Sequence, residues 1–309
     1  MLNAALRKLF LALSRNGFLR RRLPQLPFMR RAVGRFMPGE TAEDALAAAL
    51  VLQRDGIASE YTRLGENISD MAEADAVAEH YVALYGQIRE AGLDGEISVK
   101  LTQLGLDIDE AATLDHCLRL AARARETGSG FWIDMEDSSY VDRTLRIYER
   151  VLAEHPGTGL CLQAYLHRTA ADVERLLPQR PRIRLVKGAY DEPASIALRA
   201  KRDVDANFLA LAVTIARATP TGVGLGLGTH DIRLVEQVAR HAAAAGIARD
   251  AFEVQMLFGI RAGEQRRLAT EGYRVRTLIA YGDAWYPWYM RRLAERPANV
   301  LFALRALLP

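Results

Sequence analysis

The chain has little cysteine, no long apolar run and, ahead of Glu40, no acidic residue at all. Only Cys117 and Cys161 occur among its 309 residues. Two distant thiols give neither a disulfide framework nor a zinc spacing, and they suit a reducing compartment. The six histidines (His80, His116, His155, His167, His230, His241) contain no i,i+4 pair and no HExxH, so no metal chemistry is expected. No apolar stretch reaches the roughly 18–20 residues of a spanning helix, so the expectation is a cytoplasmic protein that touches a membrane at most peripherally. GxGxxG is missing too: Gly222, Gly224 and then Leu227 break the dinucleotide spacing.

What is present is a half-hydrophobic chain long enough for one large α/β barrel or two ordinary domains. Its net charge of +3 hides an asymmetry, because nine basic residues and no acids precede Glu40, leaving the remainder net acidic. Leu2, Leu6, Leu9, Phe10 and Leu13 form an apolar stripe opposite Arg7, Lys8 and Arg15, which reads as an amphipathic helix. Residues 1–40 are thus expected to be a basic helical arm. It could pack on the main domain with solvated arginines, lie on an anionic membrane, act as a transit peptide, or bind RNA. Nucleic acid has the least support, since no recognition pattern accompanies the charge.

From Pro38-Gly39-Glu40-Thr41 onward, β-type segments alternate with helical patterns. The expected pairs are 56–64 with 72–91, 97–101 with 110–126, 131–134 with 141–154, and 159–164 with 170–177. They continue as 183–186 with 195–218, 223–229 with 232–245, 252–256 with 261–270, and 273–279 with 284–295, after a first helix over 42–55. Eight such units predict a closed parallel (βα)8 barrel over 41–309, with its site where the strands end. Polar clusters fall at those ends: Leu64-Gly65-Glu66, Lys100 to Gln103, Asp134 to Ser138, Gln163, Lys187-Gly188, Thr229-His230 and Gln255. Lys100 and Asp134 close adjacent strands, either as a reactive pair or as a structural one. Arg184 and Lys187 lie close together on one strand end, a cluster suited to phosphates or an electron-rich ring. Gly222, Gly224, Gly226 and Gly228 leave one strand face bare, either for something bulky or for a tight barrel corner.

The last unit contains AWYPWYMRRLAERPAN, residues 284–299. On a helix Trp288, Arg291, Arg292 and Glu295 share a broad face with Tyr289 at its edge. Neighbouring guanidiniums can clamp a carboxylate. The plain alternative is an Arg291–Glu295 surface pair, worth about 0.2–0.5 kcal/mol.

The ordered motifs LGEN (64–67), SVKLTQLG (98–105), IDMEDS (133–138), LQAYL (162–166), RLVKGAY (184–190), GTHD (228–231), EVQMLFG (253–259) and YMRRLAE (289–295) resemble the proline dehydrogenases. The resemblance runs from about Pro38 to Asn299. It implies a (βα)8 barrel that holds FAD on its rim, with the eighth helix over the flavin. It implies oxidation of L-proline to Δ1-pyrroline-5-carboxylate by hydride transfer to FAD N5, with electrons passed to a membrane quinone. By matching position, Asp134 and Arg184 become catalytic. Lys100, Arg291, Arg292, Tyr289, Tyr190 and Leu257 become substrate-binding. Met135, Gln163, Arg184, Lys187, Gly188, Ala189, Thr229, His230 and Glu295 become cofactor-binding, and Glu66 a partner of the first clamp arginine.

There are departures. Leu278 stands where the family commonly has tyrosine, which admits hydroxyproline or a larger imino acid as substrate. Asp191 follows RLVKGAY where an aromatic is usual, and Glu295-Arg296 replaces the family's ET or EN. Two rivals remain: a Schiff-base aldolase using Lys187, and a non-catalytic barrel that binds membrane or RNA through its arm.

Overall fold

A computed structural model describes residues 33–66, 68–286 and 288–290. Eight parallel strands close into a barrel in sequence order. They are β1 (Ala58–Arg63), β2 (Gly95–Val99), β3 (Gly130–Ile133), β4 (Gly159–Gln163), β5 (Arg182–Val186), β6 (Gly224–Gly228), β7 (Glu253–Leu257) and β8 (Arg274–Tyr281). β8 returns to β1 in register from Ala58↔Arg276 to Arg63↔Tyr281, which leaves no free sheet edge. Helix α1 (Ala42–Arg54) precedes the barrel. The crossovers are α2 (Met71–Glu90), α3 (Glu110–Thr127), α4 (Val141–Glu154), α5 (Thr169–Leu176), α6 (Lys201–Ala218), α7 (Ile232–Ala244) and α8 (Ala262–Thr270).

Local chemistry sets several of these boundaries. Thr41 and Asp44 form a reciprocal capping box at the start of α1. The Asp109 carboxylate accepts from the Ala111 and Ala112 amides to start α3, and Gly128 at φ 70° ends it. One expected boundary moves: the helical pattern beginning at Ser195 becomes helix only at Lys201. In between, Ala197 bridges antiparallel to Leu166, His167 N–H donates to the Ile196 carbonyl, and Leu198 N–H donates to the Tyr165 carbonyl. Those tertiary bonds satisfy the backbone that a first helical turn would have used, so context overrides propensity.

Strand side chains alternate between two environments. Ile97, Val99, Ile133, Leu160, Leu185 and Val254 are buried in the main hydrophobic cluster. Their neighbours meet across the lumen instead, because polar contacts such as Arg184 (β5) to Glu60 (β1) and Arg182 (β5) to Glu96 (β2) join strands that are not adjacent. The lumen is therefore filled with charge. Arg182 and Glu96 lie 2.8 Å apart, and Arg276 lies 2.9 Å from Glu253. The glycine face of β6 makes room for this filling. A Cβ on Gly224 would meet Arg182 Cγ at 2.8 Å, and one on Gly226 would meet the Gln255 amide at 2.9 Å. The bulk that the bare strand accommodates is the protein's own.

Candidate active site

The strand ends place the charged motifs together at one rim. Lys100 Nζ lies 3.5 Å from Asp134 Oδ2 and 3.7 Å from Glu66 Oε1. Asp134 Oδ1 is in turn 3.5 Å from Arg184 Nη1. Burial works against the Lys100 charge, yet Asp134 and Glu66 outweigh it and raise its pKa. Burial likewise opposes the Asp134 carboxylate, but Lys100 and Arg184 hold it below its usual range. Both groups are therefore ionised at neutral pH. Glu66 stands next to Lys100, and the clamp arginine expected beside it lies outside the described residues.

The cluster opens into a cavity of about 2290 Å³ whose lining includes Lys100, Asp134, Gln163, Lys187, Thr229 and Leu257. An ordinary small-ligand pocket holds roughly 300–1,000 Å³, so this one has space for a large cofactor together with a small substrate. Gln163 donates from Nε2 to the Met135 and Glu136 carbonyls, at 3.4 and 3.1 Å. Its Oε1 is buried and has no hydrogen-bond partner among the described residues. A buried amide oxygen in that state fits a ligand that donates to it. Gly188 has φ 113°, and a Cβ there would sit 2.2 Å from Tyr165 Cδ1, so the turn Lys187-Gly188-Ala189 can take this path along the cavity wall only with glycine. His230 Nε2 accepts from the Leu257 amide at 3.0 Å, which fixes a ring proton-free at Nε2. Thr229 Oγ1 accepts from the Asp231 amide at 3.1 Å, and Met135 is buried at the rim.

Lys187 and Arg184, read from the sequence as one cationic cluster, have different partners. Lys187 Nζ lies 2.5 Å from Asp205 and 3.5 Å from Asp231. Lys187 is thus engaged by two carboxylates rather than standing free in the cavity. Opposite the charges, Leu257 and Leu278 are paired on adjacent strands and both line the cavity. Tyr190 lines it as well.

Residues 285–286 and 288–290 are helical and begin the eighth crossover. Trp285 Nε1 donates to Glu40 Oε1 at 2.9 Å, and Trp285, Tyr289 and Met290 share a second hydrophobic cluster with Val33 and Met37. The last residues assigned to the arm thus pack against the start of this helix. Tyr289 is buried in that cluster, 6.4 Å from Trp285 and 6.2 Å from Phe36, while Tyr286 and Trp288 line the cavity. Arg291, Arg292 and Glu295 lie outside the described residues.

Sequence reasoning missed the groups beneath the rim. Arg184 Nη2 donates to Glu60 Oε1, and its guanidinium stacks on Trp132. Trp132 Nε1 donates to Glu96 Oε2 at 2.5 Å. The available signal was polar residues at every second position of buried strands, as in Glu96, Ser98, Lys100 and in Arg182, Arg184.

A closed βα barrel with an ionised cluster and a large cavity at the carboxyl ends of its strands defines a barrel enzyme. The family model described as proline dehydrogenase matches residues 45–305. Proline dehydrogenase 1 of Bacillus subtilis subsp. natto is 38% identical over 303 residues, which is 98% of this chain and 99% of the relative. Proline dehydrogenase of Deinococcus radiodurans is 41% identical over 281 residues, 89% of each chain. Proline utilization A from Bdellovibrio bacteriovorus, solved after inactivation by N-propargylglycine, shares the fold with a TM-score of 0.80 at 20% identity. That likeness covers 94% of this chain and 36% of the longer protein. The chain belongs to the proline dehydrogenase family and is an oxidoreductase.

Proposed function

We propose that the protein oxidises L-proline to Δ1-pyrroline-5-carboxylate with FAD seated in the rim cavity. The Lys100–Asp134–Arg184 chain at the cavity mouth carries this reading, because it places a fixed cation, a fixed anion and a second cation around one small volume. The donor set also suits the cofactor. Gln163 offers an unpaired buried oxygen, Gly188 a close backbone approach, and Met135, Ala189, Thr229, His230 and Lys187 complete that wall. Bound there, FAD supplies the hydride acceptor at N5.

The chain's own residues do the rest. Lys100, joined by Arg291 and Arg292, holds the substrate carboxylate and so fixes which ring carbon faces the flavin. Asp134 and Arg184 flank the reacting carbon and amine. The Leu257–Leu278 wall takes the ring methylenes, with Tyr190 bounding the pocket. The amine must be unprotonated when hydride leaves, so the rate rises with pH.

The leucine wall also bears on the substrate. A ring hydroxyl buried against it without a partner costs about 1–3 kcal/mol, which favours proline, or a ring one methylene larger, over hydroxyproline. A membrane quinone would be the acceptor of the electrons that the bound flavin takes up. The basic, acid-free stretch ahead of Val33 serves as a peripheral membrane contact for that step, since its arginines suit an anionic surface. The cell compartment is the cytoplasm.

The test is a visible spectrum of the purified protein followed by anaerobic L-proline. Flavin bands that bleach are expected; no flavin, or flavin that no imino acid bleaches, would overturn the proposal. Deleting residues 1–32 should impair quinone reduction at membranes and spare activity with a soluble dye. Equal loss of both would make the arm structural.

A further inference from the structure

Arg184 is held from below as well as from the side. Its Nη2 bonds to Glu60 and lies 3.4 Å from Ser98 Oγ, its Nη1 lies 3.5 Å from Asp134, and its plane rests 4.6 Å from the Trp132 ring centre. Glu60 has no solvent exposure. Its Oε1 takes the Arg184 bond, and its Oε2 has no hydrogen-bond partner among the described residues. An ionised carboxylate spreads its charge over two accepting oxygens, and burying one of them bare is costly. A proton on that oxygen removes the bare charge. Arg184, moreover, already faces the ionised Asp134.

We propose that Glu60 is a positioning residue, present as the neutral acid when substrate is oxidised, and that its ionisation draws Arg184 away from the rim toward the lumen. The proposal rests on the reading that the rim oxidises an imino acid. The groups facing Glu60 are Glu96 on β2, Asp134 just after β3, Cys161 on β4, Arg184 and Arg276 on β5 and β8, and Tyr85 on α2. β6 contributes only glycines and leucines, and the Glu253 carboxylate of β7 is bound to Arg276. Arg276 is therefore already engaged by Glu253 and Glu96, leaving Arg184 as the cation in contact with Glu60. Burial, with Asp134 and Glu96 adding to it against the pull of the two arginines, pushes the Glu60 carboxyl up to about 7.

The ionisation opposes the effect of the substrate amine. Loss of the amine proton speeds the reaction as pH rises, whereas loss of the Glu60 proton withdraws Arg184 and slows it. The wild-type rate should therefore climb and then bend toward a plateau near neutrality.

The experiment measures anaerobic flavin reduction by L-proline against pH for the wild-type holoenzyme and Glu60→Gln. The variant should rise without the bend, diverging from wild type by about tenfold per pH unit above it. Superimposable profiles would overturn the proposal. Should Glu60→Gln fail to fold, Glu60→Asp retains a titratable carboxyl and must still bend; an unbroken rise in that variant has the same force.

A second readout needs no substrate. A carboxyl whose folded pKa lies above its unfolded value destabilises the fold as it ionises, so stability is lost between about pH 4.5 and 7. The melting temperature of wild type relative to Glu60→Gln should fall across that window, and a constant difference would count against the proposal. If wild type fails to bleach at all, the substrate reading falls, while this melting comparison still judges Glu60.

Discussion

The Arg184 guanidinium lies 4.6 Å from the centre of the Trp132 ring, while Arg182 lies 4.7 Å from the same ring. One indole thus packs against both the arginine that reaches the rim and the arginine paired with Glu96. Trp132→Phe keeps an aromatic face and loses the bond to Glu96. It should cost about 1.5–3 kcal/mol, as for a buried hydrogen bond to a charged group. Trp132→Leu should lose about 0.5–2 kcal/mol more with the cation–π contacts. Urea denaturation of the holoenzyme measures both, and equal stabilities of the two variants would contradict the stacking account.

Lys100 pairs with Asp134 in a largely buried setting, and its removal leaves Arg184 as the remaining cation beside Asp134. Lys100→Met should retain flavin and weaken substrate binding by at least about tenfold, or 1.4 kcal/mol. Proline titration of the flavin spectrum reads this directly, and an unchanged midpoint would remove Lys100 from the carboxylate site.

Arg291→Ala and Arg292→Ala should each raise the proline concentration needed for half-maximal bleaching more than they lower the limiting rate. Their part is binding the carboxylate rather than the hydride step. Normal kinetics in both variants would dismiss the clamp in favour of the surface ion pair.

Gly188→Ala forces a side chain into positive φ and against the Tyr165 ring. Gly246, at φ 73°, would meet nothing within 4 Å on gaining a Cβ, so Gly246→Ala isolates the conformational cost from the clash. The flavin content of purified Gly188→Ala should drop severalfold and that of Gly246→Ala should not. Full occupancy in both would mean that the Lys187-Gly188-Ala189 turn does not seat the cofactor.

Stability should also depend on pH through the carboxyls at the rim. Burial pushes Glu136 up to about 7 despite its bonds from Thr102 N–H and Oγ1 at 3.1 and 2.7 Å. Its folded pKa exceeds the unfolded one, so wild type should lose stability relative to Glu136→Gln as pH rises from about 4.5 to 7. Asp134 has the opposite sign: its pKa is depressed, so its contribution is present above about pH 3.9 and is lost as acid protonates the folded state. Thermal melts across pH separate the two, because Asp134→Asn should matter most at neutral pH and least in strong acid.

Much of this architecture could be read from the chain before any coordinates. Strand and helix periods differ, and each of the eight strands was legible because short β-type segments bounded by turn residues alternate with helical patterns. The rim residues Lys100, Asp134, Gln163 and Thr229 were legible because polar groups at the ends of such runs face the same way. The strap over 195–200 was not, since its bonds to Tyr165 and His167 come from another part of the chain. Nor did the spacing of Arg184 and Lys187 reveal that one bonds to Glu60 and Asp134 and the other to Asp205 and Asp231.

The sequence by itself determined the alternation of strands and helices, the end of the barrel that carries chemistry, and the family whose motifs fall there in order. Those properties are local, or repeat along the chain, and need no knowledge of what lies across the lumen. Only the tertiary structure decided that Glu60 lies beneath Arg184, that Trp132 packs against two arginines, and that the β6 glycines make room for Arg182 and Gln255. Barrel closure brings strands β1, β3 and β5 within ion-pair distance of one another. A contact across a closed sheet depends on strand register and stagger, which no stretch of sequence encodes alone.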